Sequence, residues 1–255
     1  MPELTDEKPV EKIKDAAQQA AKAETTSPPK REYRTLLFQA ALFSAIGAFA
    51  VLTFMVATIP SFAIDLQITR TVQSIDSPLF AVIMSLISWP GFSPQSYIIS
   101  VLIVLFIYSL GLHWEALSAL VAALLPPMVN VLVKGLIRRP RPTIDLVHVF
   151  RVLDSYSFPS GHVMFYIVFY GFLWFLVFTL LKRSLIRTLL LILLGSLILL
   201  VGISRIYLGQ HWASDVLGAY LLSSVMLVVI IRFYRWGKKR FFIHQPVAPH
   251  ASKSA

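Results

Sequence analysis

The chain has 255 residues, of which 56% are apolar and only 14% charged, against about 25% charged in ordinary soluble domains. There is no cysteine, which excludes a disulfide scaffold, a cysteine nucleophile and any thiolate metal site. The net charge of +10 would suit nucleic acid, but residues 1–34 hold seven basic and seven acidic residues, so the excess lies at the ends of later apolar runs and reads as membrane topology.

In chain order, residues 1–34 are polar and rich in Ala, Lys and Glu, with Pro28-Pro29 near their end. They read as a disordered tail, not as a signal peptide. A span needs about 20 apolar residues. Residues 36–59, 116–136, 162–181, 185–207 and 212–232 qualify, and 95–112 is slightly short, with Pro94 placed to open it. Pro126-Pro127 predicts a bend in 116–136. A further run, 79–88, is too short to cross, and Asp76-Ser77-Pro78 predicts its helix start. The expected fold is all-α: a membrane bundle of six spans over 35–235 with a short extra interfacial helix, flanked by the tail and a basic segment 236–255.

Lys30, Arg31 and Arg34 precede the first span; Lys182, Arg183 and Arg187 separate the fourth and fifth; Arg232, Arg235, Lys238, Lys239 and Arg240 follow the sixth. Six spans put these clusters on one side, which the positive-inside rule makes cytoplasmic, with both termini. The expected location is a plasma (inner) membrane. Yet Lys134, Arg138, Arg139, Arg141, Arg151 and Arg205 all map to the opposite side. Ionisable residues that break the topology rule point to function.

Three segments on that side carry the chemistry. The first is Lys134-Gly-Leu-Ile-Arg-Arg-Pro-Arg141-Pro142, the second Pro159-Ser160-Gly161-His162, and the third joins Ser204-Arg205 to His211 and Asp215. Together they bring three cations, two histidines, one carboxylate and a Ser-Gly turn opening a helix. Fixed cations beside a helix N-terminus suit an anion, best a phosphate. Two histidines supply a nucleophile and a proton donor. A helix starting near Gly209-Gln210 would set His211 and Asp215 on one face, so that Asp215 fixes the imidazole tautomer.

These segments resemble the three signatures of the type-2 phosphatidic acid phosphatase family, K-x6-RP, PSGH and SR-x5-H-x3-D, with every motif position present in order. The resemblance implies His211 as nucleophile through a phosphohistidine, Asp215 as its partner and His162 as general acid. Lys134, Arg141, Arg205, Ser160 and the Gly161 N–H would hold the substrate phosphate. It also implies no metal and no other cofactor. The implied substrate is a lipid phosphomonoester or diphosphate at the extracytoplasmic face: phosphatidic acid, phosphatidylglycerol phosphate or polyprenyl (undecaprenyl) diphosphate. The bilayer is the expected partner, nucleic acid is not, and the oligomeric state stays open. A lipid phosphotransferase on the same scaffold and a non-enzymatic anion transporter are the alternatives.

Simpler readings stand beside these. The His211/Asp215 pair could ligate zinc, but no third ligand is evident beyond His162. Arg138, Arg139 and Arg151 suit lipid headgroups as well as substrate steering. Asn130, a turn before Lys134, reads as structural. Asp145 and Asp154 read as solvated, and His148 has no evident partner. Trp114, Trp212 and Trp236 read as interface anchors. His244 and His250 read as inert.

Overall fold

The structure is a computed structural model that describes residues 28–59 and 61–242. Most of the expected N-terminal tail lies outside these residues, as do His244 and His250. All regular structure among the described residues is helical, as expected. Helix α1 runs from Pro28 to Thr58, so it starts inside the segment expected to be tail.

The chain divides into two compact units after Ala45. In the first, the described stretch of α1 exposes Tyr33, Leu36, Leu37 and Phe43. The second unit holds the rest. Helices α2 (Ala63–Gln73) and α3 (Pro78–Ser88) are joined by a break with a bend of 119°. Ser77 caps α3 by accepting the Phe80 N–H, and Pro78 follows at the first helical position, as predicted. After a 3-10 turn, Trp89–Gly91, come α4 (Gln95–Ser109), α5 (His113–Ile137), α6 (Gly161–Leu180), α7 (Leu185–Tyr207) and α8 (Ala213–Gly237), with a π-helical turn at Lys238–Phe242.

Among the described residues, five helices are long and apolar enough to cross a membrane: Tyr33–Thr58, α5, α6, α7 and Ala213–Phe241. The bent pair α2–α3 passes the same test only as a broken span, and α4 is shorter, at 15 residues. This is a multi-pass helical membrane protein, and α4 covers the slightly short run expected at 95–112.

Sequence dictates the layering. Helix α6 is apolar on all sides, and such a helix belongs in the middle of a bundle. It packs against α5, α7 and α8, and Val163, Met164, Val168, Phe169 and Phe172 are buried. Its π turn at Tyr166–Tyr170 lets the Tyr166 hydroxyl donate to the Ile87 carbonyl at 2.5 Å. Helix α5 buries Ala116, Ala119, Ala122 and Ala123, small residues that allow close helix approach. It runs unbroken through Pro126 and Pro127.

At the end of α5 away from the motifs, Glu115 is buried. It accepts from the Tyr234 hydroxyl at 2.9 Å and pairs with Lys238 at 2.6 Å. Tyr234→Phe removes a hydrogen bond to a charged group and is expected to cost about 1.5–3 kcal/mol. A thermal melt in detergent checks this, and an unchanged midpoint would contradict it.

Candidate active site

Each motif sits at a helix end. Lys134 lies in the last turn of α5, which stops at Arg138 in the left-handed region (φ 52). That turn sends Arg139 inward. Ser160 is the N-cap of α6, so the Gly161 N–H is among the open donors of its first turn. Asn130 on α5 donates to the Pro159 carbonyl at 2.8 Å, and its Oδ1 would lie 3.0 Å from a Cβ placed on Gly161. Asn130 thus seats the second motif, so its structural role bears on the site. Asn130→Leu removes that tie, and activity is expected to fall more than helix content does, checked by turnover beside circular dichroism.

Arg205 is in the last turn of α7. Gly209 then takes φ +63, and a Cβ there would collide with the His148 carbonyl, so only glycine turns the chain at this point. Helix α8 begins at Ala213 with Trp212 as N-cap. His211 therefore precedes the helix, and the expected shared helix face is corrected. A helix cap brings the two together instead. Asp215, in the first turn, accepts the Trp212 N–H on Oδ2 at 2.8 Å, which folds the chain back.

His211 Nδ1 lies 3.5 Å from Asp215 Oδ2 and 3.5 Å from Ser157 Oγ. Ser157 Oγ donates to the same carboxylate oxygen. On the other side of the ring, Nε2 is 3.3 Å from Arg141 Nη1. A guanidinium can only donate, so Nε2 offers its lone pair and the proton sits on Nδ1. Arg141 is itself held by the Gln210 carbonyl, the Ser155 carbonyl at 2.7 Å and Ser155 Oγ at 2.9 Å.

Burial and the nearby charges of Arg141, Lys134 and Arg205 push the His211 imidazole well below its ordinary value. Burial likewise lowers Arg141 to about 10.

Several buried donors have no partner among the described residues: Arg205 Nε and Nη2, Ser160 Oγ and His162 Nε2. Only Arg205 Nη1 is engaged, by Ser88 Oγ at 2.6 Å. Orphaned buried polar groups are rare, because each forfeits its hydration. Here they cluster beside fixed cations, so a tetrahedral oxyanion fits them. Phe92 borders this space: His162 meets its ring edge-on at 4.6 Å, and the guanidinium carbons of Arg205 and Arg151 lie 5.1 and 5.5 Å from its centroid. An apolar cleft of about 230 Å³, lined by Tyr97, Val101, Leu120 and Phe165 among others, ends on Gly161 and His162.

Two expectations are corrected here. Arg139 does not face headgroups: it is buried, and bonds Asp65 at 2.8 Å and Asp215 Oδ1 at 2.6 Å. Trp212 is buried rather than at an interface, and its indole N–H donates to the Pro140 carbonyl at 3.2 Å. Trp114 is partly buried and bonds the Tyr234 carbonyl at 3.0 Å, while Trp236 is exposed. Arg138, Arg151, Asp145 and Asp154 are exposed. The His148 ring meets Phe150 edge-on at 4.5 Å, and its backbone N–H donates to Gln73 Oε1 at 3.1 Å. Asp65, Ser157, Ser88 and Phe92 were not legible, since no motif contains them. Among the described residues no three His, Asp or Glu side chains gather as a metal-binding set.

Fold and site together define a helical membrane protein with unpartnered buried polar groups, several cations and two histidines at the helix ends. Residues 115–239, just under half of the chain, match the PAP2 superfamily model. It is 36% identical over 130 residues to phosphatidylglycerophosphatase B of Bacillus subtilis (strain 168), a match over 50% of this chain and 62% of that relative. The crystal structure of the transmembrane PAP2-type phosphatidylglycerolphosphate phosphatase of Bacillus subtilis superposes with a TM-score of 0.68 at 29% identity, covering 78% of this chain and 98% of that one. Aquifex aeolicus LpxE shares the fold, with a TM-score of 0.55 at 22% identity, over 68% and 98% of the two chains.

Proposed function

We propose that this protein hydrolyses a lipid-borne phosphomonoester or diphosphate, without a metal, at the extracytoplasmic face of a plasma membrane. The observation that carries the reading is the set of orphaned buried polar groups on Arg205, Ser160 and His162, together with a His211 whose Nε2 faces the Arg141 guanidinium. The apolar cleft ending on His162 supports a substrate with an acyl or prenyl chain. The relatives bring phosphatidylglycerol phosphate forward as the first candidate, ahead of phosphatidic acid and polyprenyl diphosphate.

Lys134, Arg141, Arg205, Ser160 and the Gly161 N–H hold the phosphate oxygens. Arg141 Nη1 moves from His211 Nε2 to a phosphate oxygen, which frees the lone pair. Nε2 then attacks phosphorus in line, an N–P bond forms and the P–O bond to the lipid breaks. His162 gives its proton to the leaving oxygen; the arriving phosphate supplies the negative charge that a protonated His162 needs among these cations. Asp215 and Ser157 hold the Nδ1–H side of His211. Water, deprotonated by His162, then cleaves the N–P bond and regenerates the enzyme.

The sign of the pH dependence follows from His211. A protonated imidazole cannot attack, and burial with three cations keeps it neutral to lower pH. The acid limb of kcat/KM is expected to move upward in Lys134→Met, which removes one of those cations. Substrate titration is common to both proteins, so an unmoved limb would contradict this assignment.

Phosphate release by the detergent-purified protein, with chelator, from phosphatidylglycerol phosphate, phosphatidic acid and undecaprenyl diphosphate tests the activity. Chelator-resistant release is expected from at least one lipid. Phosphate appearing only on an added lipid acceptor would replace the hydrolase with a phosphotransferase, and no release by folded protein would overturn the reading.

A further inference from the structure

The proposed chemistry uses Asp215 but leaves two buried charges without a task. Arg139 lies between two carboxylates from distant parts of the chain: Nη2 donates to Asp65 Oδ2 at 2.8 Å, and Nη1 donates to Asp215 Oδ1 at 2.6 Å. Ser214 closes the ring. Its Oγ accepts from Arg139 Nη1 at 2.7 Å and donates to Asp65 Oδ2 at 2.6 Å, while its N–H donates to Asp65 Oδ1 at 2.8 Å. Asp65, Arg139 and Asp215 are all buried.

Such a network is a poor device for stability alone. Well-packed apolar side chains of similar volume do as well or better, because burying charges forfeits their hydration. What it supplies is orientation. A carboxylate can rotate about its terminal bond, and Asp215 must keep one oxygen toward His211. Arg139 takes Oδ1 and thereby leaves Oδ2 to the Trp212 N–H, Ser157 Oγ and His211 Nδ1. Arg139 is fixed in turn by Asp65.

Asp65 comes from α2, which reverses the usual burial pattern. Its buried residues are Asp65 and Thr69, while Ile64 is exposed. The same helix reaches the loop between the first two motifs. Arg70 donates to the Leu146 carbonyl at 3.2 Å, and Gln73 Nε2 donates to the carbonyls of His148 at 2.6 Å and Tyr207 at 2.8 Å. Helix α2 therefore braces both the loop and the end of α7, and its one buried carboxylate ends on the histidine's partner.

We propose that Asp65 and Arg139 are positioning residues: α2 orients the Asp215 carboxylate through Arg139, and so sets the tautomer and ring plane of His211. This rests on the proposed role of His211 as nucleophile. Asp65→Asn removes the charge that fixes Arg139. Arg139→Lys keeps a cation but cannot bridge both carboxylates as a fork.

The test pairs phosphate-release kinetics with nitrogen NMR of histidine-labelled, detergent-solubilised protein, His211 being assigned by its loss in His211→Ala. In the parent protein the His211 signals should report a proton on Nδ1. In both variants they should shift toward a mixed tautomer, and kcat should fall roughly 10-fold to 100-fold with KM little changed, as for a displaced reacting group. Ser214→Ala, which strands no charge, carries the same two readouts if Asp65→Asn fails to fold. A folded variant that melts earlier but keeps the parent His211 tautomer and kcat would overturn the proposal and leave the hydrolase standing. A shifted tautomer in a protein whose parent releases no phosphate would sink the hydrolase and keep the positioning role.

Discussion

His211→Ala is expected to abolish turnover, by a factor on the order of 10⁴ to 10⁶, while the protein still inserts and folds. The reason is local. The ring is held between Asp215 and Ser157 on its Nδ1 side and Arg141 on its Nε2 side, and no other imidazole nitrogen in the site has that bracket. His162 cannot take over, because its Nε2 has no partner among the described residues and its neighbours Arg205, Lys134 and Arg141 are all cations. Alanine leaves a small polar space at a helix cap that Asp215 still closes through the Trp212 N–H. Stability should change little. Steady-state release beside a melting curve checks both halves, and an active, correctly inserted variant would remove His211 from the mechanism.

Arg205→Lys carries the second large effect. The guanidinium spends Nη1 on Ser88 at 2.6 Å and keeps Nε and Nη2 open. Those two donors lie along one edge of a plane and match two oxygens of a phosphate. A lysine has a single nitrogen. It can bond Ser88 or the phosphate but cannot reproduce the fork, although its charge is the same. Loss of one such donor from a developing oxyanion is expected to lower kcat about 10²-fold to 10³-fold. Ser88→Ala is the control: it frees Nη1 and strands no charge on the substrate side, so its effect should be much smaller. A lysine variant with parent kcat/KM would show that charge alone suffices at this position.

Much of the site was legible because its chemistry is packed into short motifs whose helix-end positions follow from the apolar runs. Lys134, Arg141, Ser160, Gly161, His162, Arg205, His211 and Asp215 come together as those runs predict. The start of α3 was also readable, since Ser77-Pro78 is a local signal that needs no tertiary contact. What escaped was whatever depends on a distant partner. Asp65 sits in a helix that buries polar residues, so periodicity pointed away from it, and its partner Arg139 lies 74 residues further on. Arg139 itself looked like one more surface cation, because a run of three arginines and two prolines says nothing about which one turns inward; the left-handed turn at Arg138 decides that. The spacing of His211 and Asp215 suggested a helix face, but a cap produces the same proximity. Trp212 was misplaced for the same reason, as its indole is buried by the turn that forms the cap.

A rapid-quench experiment with lipid substrate labelled in its terminal phosphate tests the nucleophile directly. During turnover in chelator, an acid-labile, base-stable phosphoryl group should appear on the protein, and peptide mapping should place it on His211. Protein that releases phosphate without ever carrying the label, or that still carries it in His211→Ala, would contradict a phosphohistidine at this site.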